Sequence, residues 1–179
     1  MIKIVFCDVD GTLTDSGYFV SEDSNSLVKR FSTRDFMGLQ MLVSRGVTVA
    51  FISGAPDQCI DRKMEHLPFW SDKAVIHSGV SDKLKFVQNL YADEIDFSEM
   101  AFIGDDVNDL GLLEHVGIAG CPNDAVTDVI NYIETREDGF VMNKNGGYGA
   151  VREFCEILLP FIDNYDNIET GDEDGQSEE

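Results

Sequence analysis

Residues 2–15 read IKIVFCDVDGTLTD, an apolar run that ends abruptly in two aspartates, Asp8 and Asp10. A short apolar run bounded by turn residues is typical of a strand that is buried on both faces of a parallel sheet. Gly11 directly after the second aspartate suits a turn that leaves the strand. The stretch therefore predicts a buried first strand with two carboxylates at its carboxyl end.

The same arrangement recurs further along the chain. Residues 47–52 (VTVAFI) end at Ser53-Gly54, and residues 100–103 (MAFI) end at Gly104-Asp105-Asp106. Two shorter apolar runs predict strands at residues 74–77 and 117–119. Helical spacing predicts four helices: from Thr33 to a stop at Gly46, from about Pro56 to Leu67, from a Ser81 cap through Leu90, and from about Asn108 to His115. Strands that alternate with helices predict an α/β fold with a doubly wound, Rossmann-like parallel sheet.

One folded domain is expected over residues 1–162, followed by an acidic tail at 163–179 that is expected to be mobile. Apolar residues at 18–20 and 27–31 flank a polar stretch and predict a β-hairpin at about 17–31 that projects from the body. Only 37 residues separate Asp15 from Ser53 and only 29 separate Ser53 from Lys83. A separate folded domain usually takes at least ~50 residues, so the domain is expected to be capless.

The composition excludes several classes of partner. The net charge of −21 over 179 residues argues against nucleic acid and against an anionic membrane. No apolar run approaches the ~18–20 residues of a membrane span, and the amino-terminal run is too short for a signal peptide. The four cysteines are scattered, with neither a CxxC pair nor a histidine cluster nearby. A cytoplasmic protein with reduced thiols and no structural zinc is expected.

Ligands of doubly wound sheets bind outside the carboxyl ends of the strands, where the polar residues named above converge. A cluster of carboxylates there is costly unless a cation offsets it, and all-oxygen ligands favour Mg²⁺. The hydroxyl of Ser53 and the cation of Lys83 complete a set that suits a phosphoryl group. Each feature alone is commonplace, because an Asp-x-Asp turn or a Ser-Gly loop is usually only a turn. Their combination at successive strand ends predicts a phosphoryl-transfer site.

The four motifs resemble those of the haloacid dehalogenase superfamily. They are residues 8–15 (DVDGTLTD), Ser53, Lys83 and residues 104–109 (GDDVND). Three further segments are similar to the family of 3-deoxy-octulosonate 8-phosphate phosphatases and its nonulosonate 9-phosphatase relatives. These segments are residues 31–35 (FSTRD), 79–84 (GVSDKL) and 146–153 (GGYGAVRE).

The resemblance implies a role for each matching residue. Asp8 would be the nucleophile that forms an aspartyl-phosphate, and Asp10 the acid and base on the leaving oxygen and the water. Mg²⁺ would lie on Asp8, Asp105 and the main-chain carbonyl of Asp10. Asp106 and Asp109 would be supporting carboxylates close to the metal. The residues implied to hold the phosphate or the rest of the substrate are Ser53, Gly54, Lys83, Thr33, Arg34, Asp35, Lys63, Asn108 and Arg152.

Three positions depart from the family pattern. Ala55 stands where relatives carry a polar or charged residue, Lys63 where arginine is usual, and Phe36 where glycine is usual. All three lie where the sugar would be recognised. We therefore expect this chain to share the phosphoryl chemistry of the family more closely than its substrate selectivity. The implied substrate is a phosphorylated 2-keto-3-deoxy sugar acid, an octulosonate 8-phosphate or a nonulosonate 9-phosphate, and the alternative is a phosphatase of another small phosphorylated metabolite.

Other interpretations predict different molecules. A phospho-accepting receiver domain has a similar pocket, but it takes its phosphorylated aspartate from a middle strand and places its lysine near the end, after its hydroxyl strand. Here the Asp-x-Asp run lies on the first strand, and Lys83 precedes the Gly-Asp-Asp strand. An inactive scaffold is disfavoured by the intact acidic residues, and a phosphomutase by the lack of room for a cap. A capless pocket predicts a homo-oligomer, with a tetramer implied by the resemblance. The hairpin and residues 145–149 with Arg152 would then close a neighbour's pocket, although that glycine-rich segment is also readable as a plain loop.

Overall fold

Six parallel strands form the central sheet of the computed structural model, which describes residues 1–20 and 27–162. The strands in chain order are β1 (Ile4–Asp8), β2 (Tyr18–Val20), β3 (Leu27–Lys29), β4 (Thr48–Ile52), β5 (Val75–His77), β6 (Met100–Ile103), β7 (Ile118–Cys121) and β8 (Gly139–Val141). The helices are α1 (Thr33–Val43), α2 (Cys59–Glu65), α3 (Lys83–Tyr91), α4 (Leu110–Leu113), α5 (Thr127–Glu134) and α6 (Ala150–Leu158). The sheet order is β5-β4-β1-β6-β7-β8, and β2 pairs with β3 apart from it.

β1 lies at the centre of the sheet, between β4 and β6. The chain moves outward from β1 through β4 to β5, then returns to β6 on the other side and continues to β7 and β8. The direction of winding therefore reverses between β1 and β6. Because the loops after these two strands diverge at such a switch point, a crevice opens at their carboxyl ends.

Helices cover both faces of the sheet, which explains why β1 is apolar on both sides. Val5 and Cys7 belong to the core cluster that includes residues of α1, α2 and α6. Ile4 and Phe6 belong to the opposite cluster, with residues of α3, α4 and α5. The doubly wound α/β fold predicted from the sequence is confirmed.

Several predicted boundaries are wrong for local reasons. α2 begins at Cys59 rather than Pro56; in the turn before it, the Asp57 carboxylate accepts the N–H of Cys59 at 3.0 Å. α3 is capped by Asp82 rather than Ser81. The helix expected over residues 108–115 is a 3₁₀ turn, Val107–Asp109, followed by α4. α5 and β8 were not predicted.

The hairpin is present as the antiparallel pair β2–β3, with Tyr18 opposite Lys29. Residues 21–26, predicted as its polar turn, and the acidic tail at 163–179 lie outside the described residues. In the part of the chain that the structure describes, this pair is the insertion between β1 and α1, and no separate cap domain follows. None of the helices described there is long and apolar enough to cross a membrane.

Candidate active site

An open cleft of about 610 Å³ lies at the carboxyl ends of β1, β4 and β6. Most of the predicted site residues line it. These are Asp8, Asp10, Ser53, Gly54, Asp105, Asp106, Asn108 and Asp109. The structure therefore brings the ends of three separate strands together at one edge of the sheet.

A tight turn over Val9–Leu13 carries the first motif from β1 into the cleft. Gly11 has φ +95°, and a Cβ at this position would lie 2.0 Å from Asp105 Oδ2. Glycine is required there both by the backbone conformation and by the close approach. Thr12 Oγ1 donates a hydrogen bond to Asp105 Oδ1 at 3.1 Å. The turn thus packs directly on the acidic end of β6.

Lys83 is buried beneath the cleft, with 2% of its side chain exposed, in the first turn of α3. Its Nζ donates to Asp8 Oδ1 and to Asp109 Oδ1. Burial lowers the pKa of Lys83, but the two carboxylates outweigh burial and the net shift is upward. Asp109 Oδ2 also accepts the N–H groups of Asp105 (3.0 Å) and Asp106 (3.2 Å). Both oxygens of Asp109 are thus engaged, so this residue holds Lys83 and the loop after β6 in position.

Negative charge is concentrated around Asp8. Burial raises the pKa of Asp8 well above its ordinary value; Lys83 opposes the shift, and Asp109 and Asp105 add to it. Burial and the neighbouring Asp109 also raise the pKa of Asp105 to about 6. One lysine therefore does not offset the carboxylates gathered at this point.

The acidic cluster has the properties of a divalent-metal site. Oxygens of Asp8, Asp105 and Asp109 lie within 4.8 Å of one another. Asp8 Oδ2 is buried and has no hydrogen-bond partner among residues 1–20 and 27–162. A buried carboxylate oxygen without a partner is costly unless something else binds it. The donor set is all oxygen, with neither a histidine nor a cysteine in the cluster, and this fits a hard cation such as Mg²⁺.

Ser53 lies directly after β4 and faces Asp10. Its Oγ donates to Asp10 Oδ2 at 3.3 Å and accepts the N–H of Ala55 at 3.0 Å. Asp10 has 35% of its side chain exposed, towards the cleft. The carboxyl group of Asp10 is thus open to a molecule that enters from solvent, and the buried Ser53 lies beside it.

Lys29 is a residue of the cleft that sequence reasoning missed. It lies in β3, and its Nζ is 2.6 Å from Asp10 Oδ1 and 2.6 Å from Asp57 Oδ2. Burial lowers the pKa of Lys29, but these two ion pairs outweigh burial and raise it. The sequence contained no spacing signal for this contact, because it joins the hairpin, the first motif and the loop after β4.

The predicted sugar-binding residues lie outside the cleft within one chain. Thr33 and Lys63 line a separate apolar groove, and Arg34 is exposed. Asp35 is buried and accepts the N–H of Arg152 at 2.8 Å, which ties α1 to α6. Their roles in substrate binding stay predictions.

The glycine-rich segment before α6 packs on the first motif of the same chain. A Cβ at Gly146 would lie 1.8 Å from the carbonyl oxygen of Gly11, and a Cβ at Gly147 would lie 2.7 Å from the nitrogen of Asp15. These glycines permit a close contact between two loops. This contact supplies a structural reason for the segment that needs no ligand.

The comparisons with known proteins identify similar sequences and structures. No model of a known protein family matches the chain. The chain is 30% identical over 164 residues to the 3-deoxy-D-manno-octulosonate 8-phosphate phosphatase of Salmonella typhi, covering 88% of this chain and 79% of that protein. It is also 30% identical over 162 residues to N-acylneuraminate cytidylyltransferase A of Danio rerio, covering 89% of this chain and 35% of that protein. The chain thus spans about a third of the length of the fish cytidylyltransferases that it matches.

A solved structure supports the same relationship. The 3-deoxy-D-manno-octulosonate 8-phosphate phosphatase of Moraxella catarrhalis, in complex with a magnesium ion, a phosphate ion and a KDO molecule, is 32% identical and superposes with a TM-score of 0.78. The match covers 93% of this chain and 90% of that one.

Proposed function

Because the chain belongs to the 3-deoxy-D-manno-octulosonate 8-phosphate phosphatase family of the haloacid dehalogenase superfamily, we propose that it hydrolyses a phosphate monoester through an aspartyl-phosphate on Asp8. One observation carries this proposal: Asp8 lines an open cleft, with one carboxylate oxygen on Lys83 and the other without a hydrogen-bond partner among the residues that the structure describes. Oδ2 is then left for the metal, while the oxygen paired with Lys83 keeps a lone pair with which to attack phosphorus.

The residues support a two-step reaction. In the first step an Asp8 oxygen bonds to phosphorus, the ester P–O bond breaks, and Asp10 gives a proton to the leaving oxygen. In the second step Asp10 takes a proton from a water that attacks phosphorus, the bond to Asp8 breaks, and inorganic phosphate leaves. Lys83 offsets the negative charge around Asp8, and Ser53 offers a hydroxyl to a phosphate oxygen.

Mg²⁺ is the metal that this donor set favours. Asp8, Asp105 and the main-chain carbonyl of Asp10 would hold it, with Asp106 as an outer carboxylate. When bound, it would supply positive charge against the transferred phosphoryl group. We expect activity to be lost with a chelator, restored by Mg²⁺ and poorly restored by Zn²⁺. Full activity in protein shown to be metal-free by elemental analysis would contradict this assignment.

The proposed substrate is the terminal phosphate ester of a 2-keto-3-deoxy sugar acid, either an octulosonate 8-phosphate or a nonulosonate 9-phosphate. The names of the relatives support this class. The departures at Ala55, Phe36 and Lys63 leave the choice between the two sugars to experiment. A screen of phosphorylated metabolites tests it, and a tenfold preference for neutral hexose phosphates or nucleotides would reject the substrate but not the reaction.

Asp8→Asn tests the covalent mechanism. The change is nearly isosteric, so the fold should survive, and kcat should fall by several orders of magnitude. Asp96→Asn is the matched control, because Asp96 caps the turn at Phe97–Glu99 on the surface. Retention of more than about a tenth of the wild-type kcat by Asp8→Asn would reject Asp8 as nucleophile.

We also infer a homo-oligomer, with a tetramer expected, in which one subunit completes the pocket of another. The outer residues of the hairpin are strongly exposed apolar side chains, including Phe19 at 76% and Val20 at 72%. Such side chains are typical of a surface that another protein covers. A monomeric light-scattering mass at micromolar concentration would contradict this. Equal losses for Arg152→Ala on a sugar phosphate and on an aryl phosphate would show that Arg152 has only a structural role.

The cysteines are consistent with a reducing, cytoplasmic compartment. All four are free thiols, and Cys7, Cys121 and Cys155 are buried. Burial raises the pKa of each of these three thiols, so they pack as small apolar side chains.

A further inference from the structure

Lys29 makes two ion pairs at the mouth of the cleft, although it belongs to the hairpin rather than to the sheet. Its Nζ bridges Asp10 Oδ1 and Asp57 Oδ2, each at 2.6 Å, and 4% of its side chain is exposed. A lysine loses much rotamer freedom when it is held in this way, so its geometry is well defined. The contact joins the hairpin to the acidic turn after β1.

Arg30, which directly follows β3, anchors the hairpin as well. Arg30 Nε donates to Asp15 Oδ2 at 3.0 Å, Nη2 donates to the carbonyl oxygen of Gly147 at 2.9 Å, and the guanidinium lies 3.9 Å from the centre of the Tyr148 ring. Anchoring of the hairpin is therefore already provided by Arg30, which leaves the contact of Lys29 with Asp10 to be explained.

The carboxyl group of Asp10 is held at both oxygens. Lys29 binds Oδ1, and the hydroxyl of Ser53 donates to Oδ2 at 3.3 Å. The ion pair with Lys29 restricts rotation about the bond that carries the carboxyl group, and it remains when the Ser53 hydroxyl turns to a phosphate oxygen. Such preorganisation matters for a group that must deliver a proton to one particular atom, because a misplacement of 1 Å can cost ~10²-fold in rate.

We propose that Lys29 is a positioning residue that orients the Asp10 carboxyl group for proton transfer to the leaving oxygen. Asp57 in turn holds Lys29 in place. The inference rests on the proposed function, since it takes Asp10 as the proton donor. It extends the catalytic assembly to the hairpin and to the loop after β4.

The experiment compares aryl phosphates of similar shape whose leaving groups differ in basicity, from p-nitrophenyl to phenyl phosphate. In a loose transition state charge develops on the leaving oxygen, and a poor leaving group depends on the proton far more than a good one. For Lys29→Met we expect kcat/KM to fall ~10–100-fold for phenyl phosphate and less than ~3-fold for p-nitrophenyl phosphate. The plot of log kcat/KM against leaving-group pKa should therefore become steeper.

Two further variants complete the test. Lys73→Met is the matched control, because Lys73 pairs with Asp72 at an exposed site and should keep the wild-type slope. Asp57→Asn keeps the size of the side chain and weakens its hold on Lys29, and it should steepen the slope in the same direction by a smaller amount. If Lys29→Met does not unfold cooperatively, Asp57→Asn decides the question.

The outcomes separate this inference from the proposed function. An equal loss on every ester, or no loss, for Lys29→Met would reduce Lys29 to an anchor of the hairpin and overturn the inference. An unchanged slope for Asp57→Asn, where only that variant folds, would do the same. Turnover that persists in Asp8→Asn would instead reject the proposed mechanism, whatever the slopes.

Discussion

Lys83→Met removes the buried cation between Asp8 and Asp109 and leaves two carboxylates without compensation. The side chains of Lys83, Asp8 and Asp109 are 2%, 6% and 1% exposed, so water does little to replace the lost charge. Removal of one partner from a buried ion pair costs ~3–5 kcal/mol. At ~2–4 °C per kcal/mol for a chain of this size, the melting temperature should fall by ~6–20 °C. kcat should fall ~10²–10³-fold with it, because Lys83 offsets charge at the reacting carboxylate.

Thermal unfolding by circular dichroism measures the loss, with Lys3→Met as the control. Lys3 pairs with Glu99 at the surface with 54% of its side chain exposed, and its removal should cost at most ~1 kcal/mol. Adding Asp109→Asn to Lys83→Met should recover part of the lost stability, because one uncompensated charge disappears. We expect a coupling energy of ~1–3 kcal/mol between the two substitutions. If Lys83→Met melts within ~3 °C of Lys3→Met, the buried carboxylates of Asp8 and Asp109 do not need Lys83 for stability, and the prediction is wrong.

Three further predictions concern the loop and the metal. Gly11→Ala should lower the melting temperature more than Gly46→Ala and should abolish activity, as thermal melts and activity assays can check. Both glycines have positive φ, but only at Gly11 would the added Cβ meet another group. The pKa of Asp105, about 6, lies above its unfolded value, so this residue stabilises the metal-free fold at low pH and the contribution is lost as pH rises through 6. Between pH 4 and pH 7, the melting temperature of the metal-free wild type should therefore fall further than that of Asp105→Asn. Equal falls would contradict the raised pKa of Asp105. Mg²⁺ at ~100 times its Kd should add ~2.7 kcal/mol to the free energy of unfolding, which calorimetry would detect. Asp105→Asn should largely remove this gain.

The sequence was sufficient for the fold class and for the residues at the strand ends. Apolar runs that stop at Asp8, Ser53 and Asp105 reveal buried parallel strands, because the side chains inside a doubly covered sheet must be apolar while those beyond its edge face solvent. It was not sufficient for α5 and β8, or for the start of α2. The start of α2 follows a short polar contact, the carboxylate of Asp57 on the N–H of Cys59, that periodicity does not reveal.

The sequence by itself determined which carboxylates meet, since successive strand ends of a wound sheet share one edge. Only the tertiary structure decided how each is used. Asp109 is engaged at both oxygens by Lys83 and two main-chain N–H groups, whereas Asp8 retains a buried oxygen without a partner among the described residues. Lys29 reaches Asp10 because an antiparallel hairpin brings β3 back over the first motif. Such contacts join residues that are distant along the chain. Their geometry depends on tertiary packing, which the periodicity of the sequence does not reveal.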